Sequence, residues 1–278
     1  LDGAWQEYQR VIGPTREVVP EVFQMDGLRN KMTAATEPRA IQGRLGWWSF
    51  EITTPLTEGT YEAARGAVDT ALTAMQFVLD GERAAYGLCR PPGHHATTSL
   101  YGGYCFFNNA AIVAHHVAST TGVKVAVLDV DYHHGNGTQE IFYDRDDVMY
   151  VSLHGDPQRA YPYAIGYSDE TGSGRGLNSN VNVPLPARTD DDAYLAALAP
   201  ALERIARFGA QFLVVSLGLD TFVTDPICDL SITTDGFKRC GAAVAALGLP
   251  TVVLQEGGYD VANLGINAQS WLTGLGAG

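Results

Sequence analysis

The segment VKVAVLDVDYHHG, residues 123–135, runs from a continuous apolar stretch into a cluster of ionisable side chains. Its apolar part, residues 123–130, lacks the regular alternation that marks a strand with one exposed face. Continuous runs of this kind are typical of strands that are buried on both faces of a parallel sheet. Ligands of such sheets bind beyond the carboxyl ends of the strands. The residues that close the segment therefore predict a site at the edge of a buried sheet.

Apolar runs and helical patterns alternate on both sides of this segment. The other predicted strands are residues 84–88, 148–153, 212–217 and 251–254. The predicted helices are an apolar stripe over residues 64–79 and the segments 108–119, 191–206, 234–246 and 262–275. Because no repeat or linker-like stretch divides the chain, this alternation predicts one α/β domain over residues 1–278. It is expected to be doubly wound, with helices on both faces of one mostly parallel sheet.

The first sixty residues depart from this alternation. A helix-like stretch over residues 1–11 is followed by an irregular segment, residues 14–57, in which Gly and Pro recur around the aromatic sequence WWSF. Long ordered loops more often carry a function or an interface than neither. Residues 14–57 are therefore predicted to form a loop region at the rim of the active site or at a dimer contact.

The charge balance and the cysteines restrict the partners and the compartment. The formal net charge is −13, so no basic surface is available for a nucleic acid, whereas a cationic small substrate is compatible. No apolar run approaches the ~20 residues that span a bilayer, and no membrane association is expected. Four cysteines occur without a CxxC spacing, which predicts reduced, mostly buried thiols in a cytoplasmic protein. They are Cys89, Cys105, Cys228 and Cys240.

Ionisable or aromatic side chains follow all five predicted strands. The sequences at the five strand ends are RPPGHH (90–95), DVDYHHG (129–135), SLH (152–154), GLD (218–220) and EGGY (256–259). Because the carboxyl ends of parallel strands meet at one edge of a sheet, this convergence indicates a functional site.

Three of these residues form a candidate metal site. Asp131 and His133 are two residues apart in an extended segment, which places their side chains on the same side. With Asp220 they make a set of one imidazole and two carboxylates that leaves a position open, as a catalytic metal requires. Zn²⁺ fits this set, and Fe²⁺, Mn²⁺ or Co²⁺ are also tolerated by so oxygen-rich a site. The alternative is that Asp129 and Asp131 cap the following helix.

Two histidines and a tyrosine complete the candidate chemistry. His94 and His95 follow Gly93 at a strand end, where they are predicted to act as an acid–base pair on the attacking water. Tyr259 follows two glycines that allow a sharp turn of the backbone. Its hydroxyl is a candidate donor to a developing oxyanion, and the alternative is a core tyrosine with a satisfied hydroxyl.

Six motifs, in this order, resemble the histone deacetylase superfamily. They are RPPGHHA (90–96), GGYCFFNNAAIVA (102–114), LDVDYHHGNGTQEIFY (128–143), SLHGDP (152–157), SLGLDTFVTDP (216–226) and EGGY (256–259). SLHGDP, GYSDETG at residues 166–172 and DTF at residues 220–222 are similar to the acetylpolyamine amidohydrolase branch in particular. The resemblance implies an arginase/deacetylase-like fold and zinc-dependent hydrolysis of an acetyl-amide to acetate and a free amine.

The resemblance also implies a role for each site residue. It places zinc on Asp131, His133 and Asp220. It makes His95 the general base and then the general acid, with His94 and its partner Asp129 as electrostatic support. Tyr259 is expected to hydrogen-bond the carbonyl oxygen of the substrate. The residues implied at the substrate tunnel are Tyr104, Tyr161, Gly257 and Gly258.

Structural potassium is implied at two sets of residues. The first set is Asp129, Asp131, His133, Ser152 and Leu153. The second set is Phe142, Arg145 and Val148.

Three features depart from the family pattern. Relatives begin some tens of residues earlier with a first strand, so an unpaired sheet edge and association into a homodimer are expected. Asn136 stands where many class I deacetylases have the Asp that orients the second histidine, so His95 is expected to be less basic. Gln42 and Thr53 occupy places where a polyamine deacetylase offers carboxylates, although Glu51 is close to Thr53.

Four functions stay open at this point. The first is hydrolysis of acetylated polyamines or similar small amines, and the second is the same chemistry on acetyl-lysine in proteins. The third is a non-catalytic binding protein of this fold, against which the presence of Tyr259 and both histidines argues. The fourth is an arginase-like hydrolase, whose two-manganese site needs more carboxylates and imidazoles than these strand ends supply.

Overall fold

Six parallel strands form one sheet in the computed structural model of the chain, which describes residues 1–24 and 36–276. The strands are β1 Ala84–Gly87, β2 Val125–Asp129, β3 Val148–Gly155, β4 Asn180–Leu185, β5 Phe212–Leu217 and β6 Thr251–Gln255. They lie in the order β1-β6-β5-β2-β3-β4, and every neighbouring pair is parallel. The predicted α/β fold around one mostly parallel sheet is confirmed.

Eight α-helices accompany the sheet in the described residues. They are α1 Ala4–Ile12, α2 Ile41–Trp47, α3 Thr60–Leu79, α4 Asn109–Thr121, α5 Asn136–Phe142, α6 Asp191–Phe208, α7 Thr234–Ala245 and α8 Leu264–Gly276. Helices α4, α6 and α7 begin where the side chains of Asn108, Asp190 and Thr233 accept backbone N–H groups of the first turn. Helices α4 and α6 end at Gly122 and Gly209, whose left-handed backbones stop each helix.

The helices cover both faces of the sheet because successive strand residues point to opposite sides. Ala126 and Leu128 of β2 belong to one apolar core with residues of α6, α7 and α8. Val125 and Val127 belong to a second apolar core with residues of α3 and α4. All four side chains are fully buried. This double burial is the reason that the central strands appear in the sequence as continuous apolar runs.

The strand order changes direction at β2. From β2 the chain passes outward to β3 and β4, and after α6 it returns to β5 on the other side of β2. The crevice beyond the carboxyl ends of β2 and β5 is therefore the topological switch point, where sheets of this class bind ligands. Asp129, the last residue of β2, lies level with Ser216 of β5.

Residues 14–57 contain a helix, so the prediction of an irregular segment is wrong over α2. Ile41 and Leu45 are buried one helical turn apart. The glycines that suggest a loop serve close packing instead, since a Cβ at Gly46 would lie 1.6 Å from the carbonyl oxygen of Val22. Residues 25–35 of the predicted loop lie outside the described residues.

Helix α5 and strand β4 have no counterpart among the predicted elements. The signal for β4 is weak because Asn180, Asn182 and Pro184 interrupt its apolar residues, as an edge strand tolerates. Helix α5 has seven residues, too few to show a helical period.

Two further expectations concern the helices and the cysteines. No helix within residues 1–24 and 36–276 is long and apolar enough to cross a membrane. All four cysteines are free, and Cys89, Cys105 and Cys240 are buried while Cys228 is partly buried.

Candidate active site

The side chains that follow β1, β2, β5 and β6 meet in one buried cluster. The backbone N–H of Tyr132 after β2 donates to Asp220 Oδ1 after β5, at 2.8 Å. The backbone N–H of Gly257 after β6 donates to Asp131 Oδ2 at 2.7 Å. His94, which follows β1, is buried with Nε2 at 3.8 Å from Asp131 Oδ1. The predicted convergence of strand ends thus holds for these four strands.

Asp131 and Asp220 converge on one nitrogen of His133. Nδ1 of His133 is 3.3 Å from Asp131 Oδ1 and 3.0 Å from Asp220 Oδ2. Both carboxylates are fully buried and approach the same nitrogen, so a cation bound between them would offset their mutual repulsion. A Cβ at Gly257 would lie within 2.7 Å of an oxygen of each carboxylate, so glycine is needed there. The set of one imidazole and two carboxylates fits Zn²⁺.

The electrostatics of this cluster favour a positive charge at His133. Burial lowers the pKa of His133, but the hydrogen bonds and charges of Asp131 and Asp220 outweigh it and raise the pKa to about 9. Burial raises the pKa of Asp220 to about 7, and the charge of Asp131 adds to this. For Asp131 the charges of His94 and His133 prevail over burial and hold the pKa well below its usual value.

His94 is held as a charged imidazole. Its Nδ1 lies 3.0 Å from Asp129 Oδ2, which also accepts the hydroxyl proton of Tyr150 at 2.9 Å. Burial opposes the charge, but Asp129 and Asp131 outweigh burial and keep the pKa of His94 well above its ordinary value. Because Asp129 is committed to these contacts, it stands beside the candidate metal ligands and does not cap α5.

His95 has the opposite character. Its Nδ1 lies 2.8 Å from Asn136 Oδ1, and Asn136 Nδ2 donates to the backbone oxygen of His95 at 3.3 Å. This arrangement assigns the proton to Nδ1 and leaves the lone pair on Nε2. Burial, followed by the charges of His94 and His133, holds the pKa of His95 well below its usual value. A neutral His95 with a free Nε2 is a competent proton acceptor.

A cavity of about 280 Å³ opens above this cluster. His95 and His133 line its base, and Tyr104, Tyr161 and Tyr259 line its walls. The ring centroid of Tyr161 is 4.9 Å from that of His95, and the ring centroid of Tyr104 is 6.2 Å from that of Tyr259. The structure therefore brings the two predicted tunnel tyrosines to one cavity. The two predicted tunnel glycines are not among the residues that line it, and Gly257 instead packs between the two carboxylates.

Tyr259 reaches the cavity because of the turn that precedes it. Gly258 has a φ of 136°, and the backbone N–H of Tyr259 donates to Asp225 Oδ2 at 2.8 Å. Burial, followed by the charges of Asp220 and Asp131, raises the pKa of the Tyr259 hydroxyl well above its ordinary value. The hydroxyl is therefore a hydrogen-bond donor at neutral pH.

Two residues of the first implied potassium set are neighbours in the sheet. Ser152 of β3 lies level with Asp129 of β2. His154 Nε2 lies 2.8 Å from the carbonyl oxygen of Gly166 and must donate to it, so Nδ1 accepts the Ser152 hydroxyl proton at 2.7 Å. The proton of the Ser152 hydroxyl therefore points toward His154 and away from a cation that binds its oxygen.

The second implied set lies at the turn before β3. The backbone N–H of Arg145 donates to the carbonyl oxygen of Phe142 at 3.1 Å, and Val148 begins the strand. The guanidinium of Arg145 is paired with Asp147 at 2.7 Å, so Arg145 offers a cation only its backbone carbonyl.

Glu256 takes part in the cluster in a way that its motif does not reveal. Its Oε2 accepts the backbone N–H groups of Gly93 and His94 at 2.7 and 3.2 Å, and its Oε1 accepts the Ser216 hydroxyl at 3.0 Å. Glu256 therefore ties β6 and β5 to the segment that carries both histidines. A strand-end carboxylate is visible in the sequence, but its partners depend on the strand order.

The family model described as a histone deacetylase domain matches residues 22–275. The chain belongs to the histone deacetylase family. The family resemblance deduced from the motifs is thereby confirmed.

Curated relatives cover nearly the whole chain. Acetylpolyamine amidohydrolase 2 of Pseudomonas aeruginosa is 45% identical over 275 residues, covering 99% of this chain and 78% of that protein. Acetylpolyamine amidohydrolase of Mycoplana ramosa is 41% identical over 275 residues, covering 99% of this chain and 79% of its own length. A solved structure of the acetylpolyamine aminohydrolase of Burkholderia pseudomallei superposes with a TM-score of 0.91 at 41% identity, covering 99% and 78% of the two chains. The family and these relatives make the chain a hydrolytic deacetylase.

Proposed function

We propose that this chain is a zinc-dependent amidohydrolase that releases acetate from small acetylated amines such as acetylputrescine or acetylcadaverine. The observation that carries the proposal is the convergence of two buried carboxylates on His133 at the base of a cavity walled by tyrosines. Asp131, His133 and Asp220 would hold the zinc ion, and Fe²⁺, Mn²⁺ or Co²⁺ are the alternatives. When bound, the metal polarises the acetyl carbonyl group and activates a water molecule.

The other side chains supply the proton transfers and the charge stabilisation. Nε2 of His95 takes a proton from the attacking water and later delivers it to the departing nitrogen, so that acetate and the free amine leave. His94, charged and held by Asp129, stabilises the negative charge that develops during the attack. The hydroxyl of Tyr259 donates a hydrogen bond to the acetyl oxygen as it becomes an oxyanion.

Potassium at the two implied sets would have a structural role. The first set, Asp129, Asp131, His133, Ser152 and Leu153, joins the ends of β2 and β3 and includes two of the candidate zinc ligands, Asp131 and His133. The second set, Phe142, Arg145 and Val148, would fix the turn into β3. A hard cation of this kind suits carbonyl and hydroxyl oxygens, and the oriented Ser152 supports the first set.

The cavity supports a slender cationic substrate. Tyr104 and Tyr161 present ring faces and edges to an aliphatic chain, and an ammonium over a tyrosine ring gains about 0.5–2 kcal/mol. The net charge of −13 attracts such a substrate over longer distances. The relatives whose names contain acetylpolyamine point to the same class of amine.

Acetyl-lysine in proteins is the second candidate substrate. Arg159 lines the mouth of the cavity, and its guanidinium lies 3.0 Å from Asp229 Oδ2. A positive side chain at this place is less favourable for a free ammonium group than for the neutral backbone of a peptide.

Measured kcat/KM values for acetylputrescine, acetylcadaverine and acetyl-lysine peptides test the proposal. The small amines are expected to have the higher values. A peptide that is hydrolysed tenfold better than every small amine would assign the enzyme to proteins, because the additional ~1.4 kcal/mol would lie in contacts outside the cavity. Absence of turnover for the whole panel with zinc present would favour the alternative of a non-catalytic binding protein.

A homodimer and a cytoplasmic location are part of the same proposal. Several large hydrophobic side chains of the N-terminal region are exposed, among them Val11, Val22 and Ile52 at 57%, 66% and 59%. Exposed hydrophobic side chains mark an interface where they form one continuous patch, and the proposal is that these side chains do so in the dimer. The four free cysteines support a reducing compartment.

A further inference from the structure

Both carboxylate oxygens of Glu51 accept hydrogen bonds from neighbouring groups of the protein. Its Oε1 accepts the backbone N–H of Gly103 at 3.0 Å and the hydroxyl proton of Thr54. Its Oε2 accepts the backbone N–H and the hydroxyl proton of Thr53. A carboxylate offers about four acceptor positions, and four donors fill them here.

These hydrogen bonds hold an unusual backbone conformation. Tyr104 has a φ of 64°, in the left-handed region that an aromatic residue with a Cβ rarely adopts. Its backbone N–H donates to the hydroxyl oxygen of Thr54 at 2.8 Å, and that hydroxyl in turn donates to Glu51. Thr54 is buried, at 1% exposure. Glu51 therefore reaches the turn through Gly103 directly and through Thr54 indirectly.

The same turn lies against the candidate catalytic residues. A Cβ at Gly103 would lie 2.2 Å from Cδ2 of His95, so the backbone of the turn packs on the ring. The side chain of Tyr104 lines the cavity across from Tyr259. The conformation of the turn consequently sets where one wall of the cavity stands.

Phe50, which precedes Glu51, extends this support to the opposite wall. Its ring is stacked on Tyr161 with 6.5 Å between the ring centroids. A Cβ at Gly102 would lie 2.5 Å from the Phe50 ring, so this ring also packs beneath the turn. Phe50 and Thr54 thus contact Tyr161 and Tyr104 from outside the cavity, which Thr53 itself lines.

We propose that Glu51 is a positioning residue that holds the Gly103–Tyr104 turn, and with it the width of the substrate cavity, without binding the substrate itself. The inference rests on the proposed function, because it takes the cavity as the substrate site. Glu51 is therefore not expected to bind an ammonium group of the substrate, since all its acceptor positions face donors of the protein.

The test compares KM and kcat for two substrates, acetylcadaverine with its terminal ammonium and N-butylacetamide, which is uncharged. Glu51→Ala and Thr54→Val are expected to raise KM about tenfold for both substrates. They should change kcat by less than about threefold, because the metal ligands are untouched and His95 keeps its hydrogen bond to Asn136. Thr54→Ser keeps the hydroxyl and is the matched variant, with KM expected close to that of the wild type. In a Tyr104→Ala background, Glu51→Ala is expected to add no further rise in KM.

Several results would overturn the inference. A rise in KM for acetylcadaverine alone would show that Glu51 attracts the ammonium directly. Equal KM values for Thr54→Val and Thr54→Ser, or additive effects of Glu51→Ala and Tyr104→Ala, would remove the path through the turn. Thermal unfolding midpoints identify a variant that has merely lost stability.

A crystal structure of Glu51→Ala separates this inference from the proposed function. The inference expects the Gly103–Tyr104 turn to leave the left-handed conformation, whether or not the enzyme hydrolyses either substrate. An unchanged turn would contradict it. A wild-type protein that hydrolyses neither substrate would refute the proposed function and leave the crystallographic result to decide the role of Glu51.

Discussion

The adjacent histidines His94 and His95 differ in charge because each ring has a different hydrogen-bond partner. His94 and His95 are both buried, with ring centroids 4.0 Å apart. The carboxylate of Asp129 keeps the pKa of His94 high, whereas the neutral amide of Asn136 leaves burial free to lower the pKa of His95. The division into a charged support and a neutral base thus depends on which residue faces each Nδ1.

Asn136→Asp tests this dependence at the level of one residue. A carboxylate at Nδ1 favours the protonated ring, so the pKa of His95 should rise. Because the general base must be neutral, the acid limb of the kcat/KM profile should move to higher pH, by about one to three pH units. A pH–rate profile with acetylcadaverine measures the shift. An acid limb that stays in place would show that His95 is not the group that titrates.

Tyr259→Phe removes one hydroxyl from the cavity. If the hydroxyl stabilises the oxyanion, kcat should fall roughly 10²–10³-fold, as is usual for the loss of one such donor. KM should change little, because the substrate in its ground state carries no full charge on the acetyl oxygen. Steady-state kinetics check both values, and wild-type turnover would reduce Tyr259 to a packing residue.

At the scale of elements, the strands buried on both faces are the ones that the sequence predicts well. The sequence predicts β5 at residues 212–217, and the strand has these bounds, because neither face meets water and every residue is apolar or small. β4 lies at the sheet edge, where polar residues are tolerated, and so it leaves no apolar run. Helix α2 escapes prediction because Gly43 and Gly46 suggest a loop, although they allow close packing against Pro38 and Val22.

The residues of the candidate site likewise include some that the sequence predicts and some that it does not. Residues that follow predicted strands, such as Asp131, His133 and Asp220, are found from the sequence because strand ends of a parallel sheet share an edge. The network of Glu51 with Thr54 is not found, because it joins a loop to a turn 50 residues away. No periodicity in the sequence reports such a contact.

The stability of the protein is expected to depend on pH through Glu256, the residue that follows β6. Burial is the main reason that its pKa is raised from 4.5 to about 7. The protonated carboxyl group is favoured in the folded state, so its contribution is present below pH 4.5 and is lost as the pH rises through about 7. Glu256→Gln retains an uncharged side chain at every pH. Between pH 4.5 and pH 8, the free energy of unfolding of the wild type should therefore fall by about 3 kcal/mol relative to that of Glu256→Gln.

Urea unfolding of both proteins after chelation of bound metal measures this difference. Parallel stability curves for the wild type and the Gln variant would contradict the assignment of the buried proton to Glu256. The use of metal-free protein keeps the release of metal at low pH from contributing to the result.

At the scale of the whole molecule, the homodimer stays a prediction from the sequence. β1, with four residues, and β4 are the edge strands of the described sheet, and unpaired edges are places of association. Ile52, which is exposed, lies within residues 14–57, the segment predicted to contribute to the contact. Light scattering at increasing concentration should give a dimer, with a lower mass after Ile52→Asp. A monomer at high concentration would count against the dimer.

The central claim for the whole molecule is that one metal ion, held by Asp131, His133 and Asp220, is required for hydrolysis. The most direct measurement is a titration of chelator-stripped protein with zinc while the hydrolysis of acetylcadaverine is followed. The activity should be absent before zinc is added and should rise to a plateau at about one zinc ion per chain, as expected for a single catalytic site. Asp220→Asn should stay inactive throughout the same range. Turnover by the stripped protein, or a wild-type titration curve for Asp220→Asn, would contradict the claim.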